Sequence, residues 1–517
     1  MRSRLLAVVP LTAIVLLLAV PVVAVLAGGL RAESLEVLTE PRTWRIVGFT
    51  LAQAVASTVA SIAIALPAAY ALYRCTVRGR RFLLAIITVP FVLPTVVVGL
   101  AFRILLPDSW NGTVGAIVIA HVFFNVGLVV RVVGGVWSRI DPRTADVAGT
   151  LGLSPLRVLL RVTWPLLRSS VLASAALVAM FTFTSFGVIM VLGSPAQPTV
   201  EVEIYRRTTQ VLDLPAAAGL ALMQLVVVLV ALAWSARLQQ LVSVRMRHAS
   251  AWTRQQRTAT DRICIVWTYV LVGAILLPLA ALILASLRTG DSWSILWFEQ
   301  VLHPAGGTTR DIPGIDIVAT SLRYAVVATA IALMLGIIGA LSISGSTRRG
   351  TALETILLLP LGVSAVTIGF GLLLESIRGP VDLRGWTWLV PVGQAMVAAP
   401  LVIMVILPVL RTIDPRLRHV AATLGASPAR AWWTVDGRLV ARSAVGAAGL
   451  ACAVSLGEFG ATAFLARVDA PTIPLQIVRL LGRPGEANLG SAAALAVILL
   501  LLTAVVLSAT DIGRERW

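Results

Sequence analysis

The sequence contains no lysine; all 42 of its basic residues are arginines. That absence excludes chemistry. A phosphate-binding loop of the G-x-x-x-x-G-K-[ST] kind uses its lysine to reach the β- and γ-phosphates, and a pyridoxal Schiff base needs a lysine amine. The chain therefore carries no Walker A ATPase site. Cysteine is scarce: Cys75, Cys264 and Cys452 are scattered, without the spacing of a metal site or a disulfide framework. Four unclustered histidines argue equally against a metal centre. Charge is sparse as well. Only 13% of the 517 residues are charged, against about 25% in a soluble domain.

What is abundant is hydrocarbon. The chain is 58% hydrophobic, with a mean hydropathy of +0.92. An apolar run of about 20 residues crosses a bilayer as a helix. Twelve runs qualify, at 5–27, 46–73, 83–106, 113–137, 168–193, 215–236, 263–286, 318–343, 352–375, 387–410, 440–465 and 488–510. The expected fold is an all-α membrane protein with about twelve transmembrane helices. The first run follows Met1-Arg2-Ser3-Arg4 and resembles a secretion signal. At about 22 residues it exceeds a signal core, so it reads as a retained helix.

Arginine placement sets the orientation. With the N-terminus in the cytoplasm and alternating spans, 28 of the 42 arginines fall on cytoplasmic segments or helix ends, and most acidic residues fall outside. This is the positive-inside pattern, and it puts both termini in the cytoplasm. The net charge of +18 is then a feature of topology at an anionic leaflet and does not point to nucleic acid.

One polar stretch is written twice. "DPRTADVAGTLGLSPLR" (141–157) and "DPRLRHVAATLGASPAR" (414–430) match at 11 of 17 positions without a gap. At the same offset of 273, Phe186-Gly187 matches Phe459-Gly460. Both copies follow a fourth span, so the chain reads as two parallel six-helix halves, 1–250 and 251–517, joined by the basic stretch 237–262. Locally, Asp141-Pro142 and Asp414-Pro415 are an N-cap followed by proline at the first helical position. Gly152 and Gly425 supply helix stops, and Ser154-Pro155 restarts a second helix. Val147, Ala148 and Leu151 share one face of the first short helix, as do Val420, Ala421 and Leu424 in the second copy. A helix of about ten residues is marginal alone, so that face calls for a partner.

Asp146-Val147-Ala148, three residues, Gly152, nine residues and then Val162-Thr163-Trp164-Pro165 resembles the E-A-A-x3-G-x9-I-x-L-P loop of ABC importer permeases. The likeness extends over nearly the whole chain, since the flanking spans also fit a permease domain. It implies a type I importer permease fold with two fused domains, whose coupling loops are 141–165 and 414–438. Asp146, Val147, Ala148, Leu151 and Gly152, with Val420, Ala421, Leu424 and Gly425, would then couple to a cytoplasmic ABC ATPase dimer. An extracytoplasmic substrate-binding protein would deliver the cargo, and the site of action would be a bacterial inner (plasma) membrane. This chain itself would bind no cofactor, ATP and magnesium belonging to the ATPase. The second copy departs from the family pattern, with His419 at the acidic position and Gly437-Arg438 at the closing leucine-proline, which leaves the path after the second coupling helix open.

"FTSFGVIMVLGSPAQPTVEVEIY" (183–205) and "SLGEFGATAF" (455–464) resemble stretches of ferric-iron and thiamine importer permeases, which implies ferric iron or a thiamine-like substrate. Glu458, an ionisable group at membrane depth, is a candidate for the translocation path or gate, its alternative being a structural acid held by nearby polar groups. His121 and Asn125, one turn apart, and Phe186 and Phe459 are further candidates. A competing reading of the same duplication is an ion-coupled secondary transporter, which does not require the helix–glycine–helix loop.

Overall fold

The computed structural model describes residues 19–242, 258–302, 312–344, 363–379 and 385–515, together with Glu354 and Leu357. The boundary near 250 and parts of the expected spans 5–27 and 352–375 lie outside the described residues. The first half contains α1 (Ala19–Gly29), α2 (Pro41–Arg74), α3 (Arg80–Val92), α4 (Thr95–Leu105), α5 (Val114–Trp137) and α6 (Pro142–Thr150). It continues with α7 (Trp164–Phe183), α8 (Gly187–Leu192), α9 (Val200–Arg206) and α10 (Leu214–Val242). The second half contains α11 (Ala259–Leu287), α12 (Gly314–Ser344), α13 (Ala365–Arg378), α14 (Leu389–Thr412) and α15 (Pro415–Thr423). It closes with α16 (Arg438–Gly457), α17 (Thr462–Leu465), α18 (Ile473–Leu481) and α19 (Glu486–Glu515). The only strands among the described residues are β1 (Arg288–Thr289) and β2 (Ser292–Trp293), antiparallel, with Arg288 opposite Trp293.

Local chemistry explains several helix starts. Proline opens α2, α6 and α15, where its missing N–H is no loss. Thr113 accepts from Ala116 N to cap α5. Thr258 and Asp261 exchange side-chain-to-backbone bonds of 2.6 and 3.3 Å in a capping box on α11.

Among the described residues, nine helices are long and apolar enough to cross a membrane. The tenth candidate corrects the expected straight span 83–106: α3 and α4 meet at a bend of 105°, next to Pro94, which precedes Thr95 at the start of α4. The expected spans 168–193 and 440–465 also change. Their long helices end at Phe183 and Gly457, and after a break of a few residues each resumes as a short helix, α8 or α17.

Packing repeats along the chain. α2 packs on α5 and α7 as α12 packs on α14 and α16; α4 packs on α8 as α13 packs on α17. A backbone contact repeats too: Val200 N donates to Thr50 Oγ1 at 3.1 Å, and Ile473 N donates to Ser321 Oγ at 2.8 Å. The first helix of each half, however, crosses over. α1 lies on α13, where a Cβ on Gly371 would sit 2.3 Å from the Pro21 carbonyl oxygen. α11 lies on α2 and α4, with Trp267 Nε1 donating to Ile64 O at 3.0 Å and Tyr70 Oη to Asp261 Oδ1 at 2.7 Å. One buried cluster accordingly contains Val25, Val96 and Phe186 with Val366, Phe370 and Phe459. Neither half encloses its apolar core alone.

Candidate functional site

The two repeated loops fold alike. Asp141 Oδ1 accepts from Arg143 N and Asp414 Oδ1 from Arg416 N, each at 2.9 Å. At the other end, Gly152 and Gly425 take φ of +82° and +83°, a region that costs an L side chain strain. Leu153 N then reaches back to Ala148 O, and Ala426 N to Ala421 O, at 3.2 and 3.0 Å. Gly152 N and Gly425 N bond Gly149 O and Ala422 O. This is a Schellman cap, which turns the chain by satisfying the last carbonyls. Each loop then re-enters the membrane helix through a π-helical turn, Leu159–Thr163 or Trp433–Gly437. Gly437-Arg438 thus follow the same path as Trp164-Pro165, and the departure seen in the second copy leaves the backbone course unchanged.

The presented face is narrower than its sequence pattern suggests. Val147 and Leu151 are 58% and 78% exposed, and Val420 and Leu424 are 55% and 83% exposed. Ala148, expected on that face, is buried, and Ala421 is half-buried; both turn toward their own chain. Asp146 is exposed at the edge of the first ridge. What remains is an i, i+4 pair of bare apolar side chains on each loop, extended on the second by Leu417, which is also exposed, beyond the ends of the apolar spans. Exposed hydrocarbon of this kind, fixed on a capped helix, fits insertion into a groove of another protein.

The loops differ in bracing. Arg418 of α15 forms a two-pronged ion pair with Asp436, at 2.8 and 2.6 Å, across to the second π turn. Asp436 is fully buried, and the carboxylate beside Arg418 pushes the guanidinium pKa up. The positions 273 earlier hold Ala145 and Thr163, which cannot form an ion pair.

The second cluster lies where the halves meet. Phe186 and Phe459, both in the breaks, stack with centroids 5.0 Å apart and planes 10° apart. Tyr205 of α9 packs on Phe186 at 5.4 Å and edge-on against Phe464 at 5.6 Å, and Phe370 of α13 meets Phe464 at 6.1 Å. The rings therefore come from both halves. A cavity of about 170 Å³ adjoins them, lined by Ile189, Met190, Ser194, Pro198, Tyr205 and Arg206.

Glu458 does not lie within a span. It caps the break after α16: Oε1 accepts from Ala461 N at 2.7 Å, and Oε2 from Thr462 N and Thr462 Oγ1 at 3.0 and 2.7 Å. These donors are all local, which favours the structural alternative for this acid. His121 is buried with its Nδ1 3.1 Å from Ser57 Oγ and its Nε2 2.9 Å from Ser185 Oγ. Asn125 donates to the His121 carbonyl at 2.9 Å. Ser185 aligns with Glu458 and His121 with Gln394, which donates to Thr462 Oγ1 at 3.3 Å. Each half therefore ties its break to its fourth-span helix, through His121–Ser185 or through Gln394–Thr462–Glu458. His121 and Asn125 belong to this interior network.

The acid that the sequence reading passed over is Glu201. It is fully buried on α9, one turn before Tyr205. Gln224 Nε2 donates to its Oε1, while its Oε2 and Gln224 Oε1 have no partner. The Ser364 hydroxyl, which caps α13, lies beside it. Its signal was legible in "PTVEVEIY": an acid flanked by apolar residues at membrane depth. Glu203, two residues on, has a different role. It is buried beneath Arg206 at 2.6 Å and Arg207 at 3.1 Å, and Arg207 also holds Glu40 and Asp213.

Residues 61–248 match the family described as binding-protein-dependent transport system inner membrane component. Over 495 residues the chain is 28% identical to the thiamine transport system permease protein ThiP of Escherichia coli (strain K12), covering 89% of this chain and 87% of that protein. It is likewise 28% identical over 506 residues to the protein of that name from Brucella abortus (strain 2308), covering 90% and 87%. A shorter likeness, 26% identity over 259 residues, relates 49% of this chain to 92% of the putative 2-aminoethylphosphonate transport system permease protein PhnV of Salmonella paratyphi A.

Proposed function

We infer that this ABC importer permease, of the type I fold, is the membrane subunit of an ATP-driven importer for a thiamine-like substrate. The observation that carries the reading is the pair of capped loops, each presenting one bare apolar ridge, in a chain alike over nine-tenths of its length to thiamine permeases. Two ridges fit the two grooves of an ATPase dimer, one for each half, 1–250 and 251–517. The match that relates 49% of this chain to 92% of a shorter permease supports that division. Arginine bias places the loops and both termini in the cytoplasm. An extracytoplasmic binding protein delivers the substrate, and the segments 28–45 and 287–317, of which 303–311 lie outside the described residues, are the docking surface on the opposite side. ATP and magnesium sit on the ATPase, since a chain without lysine has no Walker A loop.

Transport by the reconstituted importer tests this. Proteoliposomes holding the chain and its ATPase, with binding protein outside the bilayer face, are expected to take up labelled thiamine only with ATP, whether or not an uncoupler is present. Uptake that needs no ATP and stops with an uncoupler would refute it.

A further inference from the structure

A buried carboxylate oxygen without a hydrogen-bond partner calls for an explanation, because native interiors pair such atoms almost without exception. Glu201 Oε2 is such an atom, and Gln224 Oε1 beside it is another. Both are acceptors, and the Ser364 hydroxyl beside Glu201 gives its proton to Thr367 Oγ1 at 2.9 Å, so the two oxygens offer electron density that no protein donor meets. Glu458 makes the contrast: both of its oxygens are saturated by Ala461 and Thr462. The basic residues next along α9 are already engaged, Arg206 by Glu203 and Arg207 by Glu203, Glu40 and Asp213, and Arg479 of α18 donates to Val468 O.

The surroundings add π faces. Glu201 and Tyr205 are four residues apart on α9 and share a face, and Tyr205 joins the stacked Phe186 and Phe459 to Phe464. Rings whose faces carry partial negative charge, with a buried carboxylate one helical turn from Tyr205, attract cations. The rings belong to both halves, so any movement that parts the halves separates Phe186 from Phe459.

We propose that Glu201 and Gln224, with the rings of Phe186, Phe459, Tyr205 and Phe464, form an intramembrane station that receives an aromatic cation as the halves part. The flat cationic ring takes the slot between Phe186 and Phe459, and its positive charge faces Glu201 Oε2. This deepens the thiamine-like reading and rests on it for the identity of the cargo, but the site's chemistry names a class, aromatic cations, that can be tested separately.

The test is equilibrium binding to the purified full chain in lipid nanodiscs, with labelled thiamine and labelled N-benzylpyridinium as probes. Saturable binding of both is expected, displaced by either cation and not by the neutral pyrimidine half of thiamine. Glu201→Gln keeps the shape and is expected to weaken binding about tenfold or more, from the loss of a charge partner in a dry site. Phe459→Leu, which keeps bulk and removes the ring, is expected to weaken it severalfold and carries the test if Glu201→Gln does not fold. Binding of N-benzylpyridinium alone, sensitive to both substitutions, would uphold the station and sink the thiamine reading. Failure of both cations to bind, or binding to both variants as tight as to the original chain, would overturn the station.

Discussion

Phe186 and Phe459, 273 residues apart at equivalent places in the two halves, stack on each other with centroids 5.0 Å apart. Each sits where a long helix has just ended, so the two breaks meet through this one stacked pair. Truncation of one ring removes half of the stack. Phe459→Ala and Phe186→Ala are each expected to let small solutes leak across proteoliposomes without ATP, whereas Phe459→Leu stays tight. Liposomes as tight with both alanine variants as with the original chain would mean that the stack is not a gate.

Among the described residues, Leu151 and Leu424 are the most exposed large apolar side chains on the loops, at 78% and 83%. Leu151→Asp and Leu424→Asp are expected to lower co-purification with the ATPase at least tenfold, because a buried charge in the groove is costly. The melting temperature of the chain alone should stay within a degree or two, since surface changes cost little. Ala148→Leu is expected to do the reverse, lowering the melting temperature by overpacking a buried position.

Gly152 and Gly425 have positive φ and open space around them: an added Cβ would meet nothing within 4 Å. Alanine at either position therefore suffers backbone strain only, about 1–2 kcal/mol. Asparagine, which tolerates this region, is expected to restore most of the loss. Hydrogen exchange at Leu153 and Ala426, whose N–H groups close the caps, reads this directly. Equal protection in the glycine and alanine forms would contradict it.

The Arg418–Asp436 clasp makes the two loops unequal. Arg418→Ala leaves Asp436 buried without its partner, a loss of about 1–3 kcal/mol for an unsatisfied buried group. The expected outcome is a looser second loop, seen as faster amide exchange across Pro415–Thr423, and more ATP spent per substrate moved. Exchange across Pro142–Thr150 should not change. The two loops loosening together would show that the clasp is not the source of the asymmetry.

Glu458 holds a break together, so its substitutions should act on stability before substrate affinity. Glu458→Gln keeps one acceptor oxygen and loses another, and is expected to cost about 1–3 kcal/mol. Glu458→Leu strands the Ala461 and Thr462 N–H groups and is expected to cost more. In uptake assays the KM should move less than twofold for Gln. A tenfold rise in KM at normal thermal stability would make Glu458 a recognition residue after all.

The loops were the most legible part, because their signals are local. An aspartate before proline, a glycine about ten residues later and a second cap are chemical instructions to a short stretch of backbone. The structure carries out the aspartate cap and the glycine turn in both copies and the second cap at Ser427, even where Gly437-Arg438 depart from the first. The same local reading misplaced Ala148. An i, i+3, i+4 pattern marks which side chains are neighbours on a helix, and which edge of that face meets the rest of the chain is a matter of how the helix is docked. The helix ends at Phe183 and Gly457 were illegible because the apolar runs continue through the breaks. Hydropathy reports transfer from water and is blind to a carboxylate that turns back to cap Ala461 and Thr462.

Sequence alone was sufficient for the membrane class, the repeat, the lack of a nucleotide loop and the caps, since each depends on composition or on residues within a few positions of each other. Tertiary structure decided the rest. It brought Phe186 to Phe459, laid α1 on α13 and α11 on α2, and left Glu201 Oε2 without a partner while saturating Glu458. These outcomes depend on which surfaces of distant helices fit together, and close packing in an apolar solvent settles that through shape and hydrogen-bond satisfaction summed over the whole bundle, not through any signal within one stretch of chain.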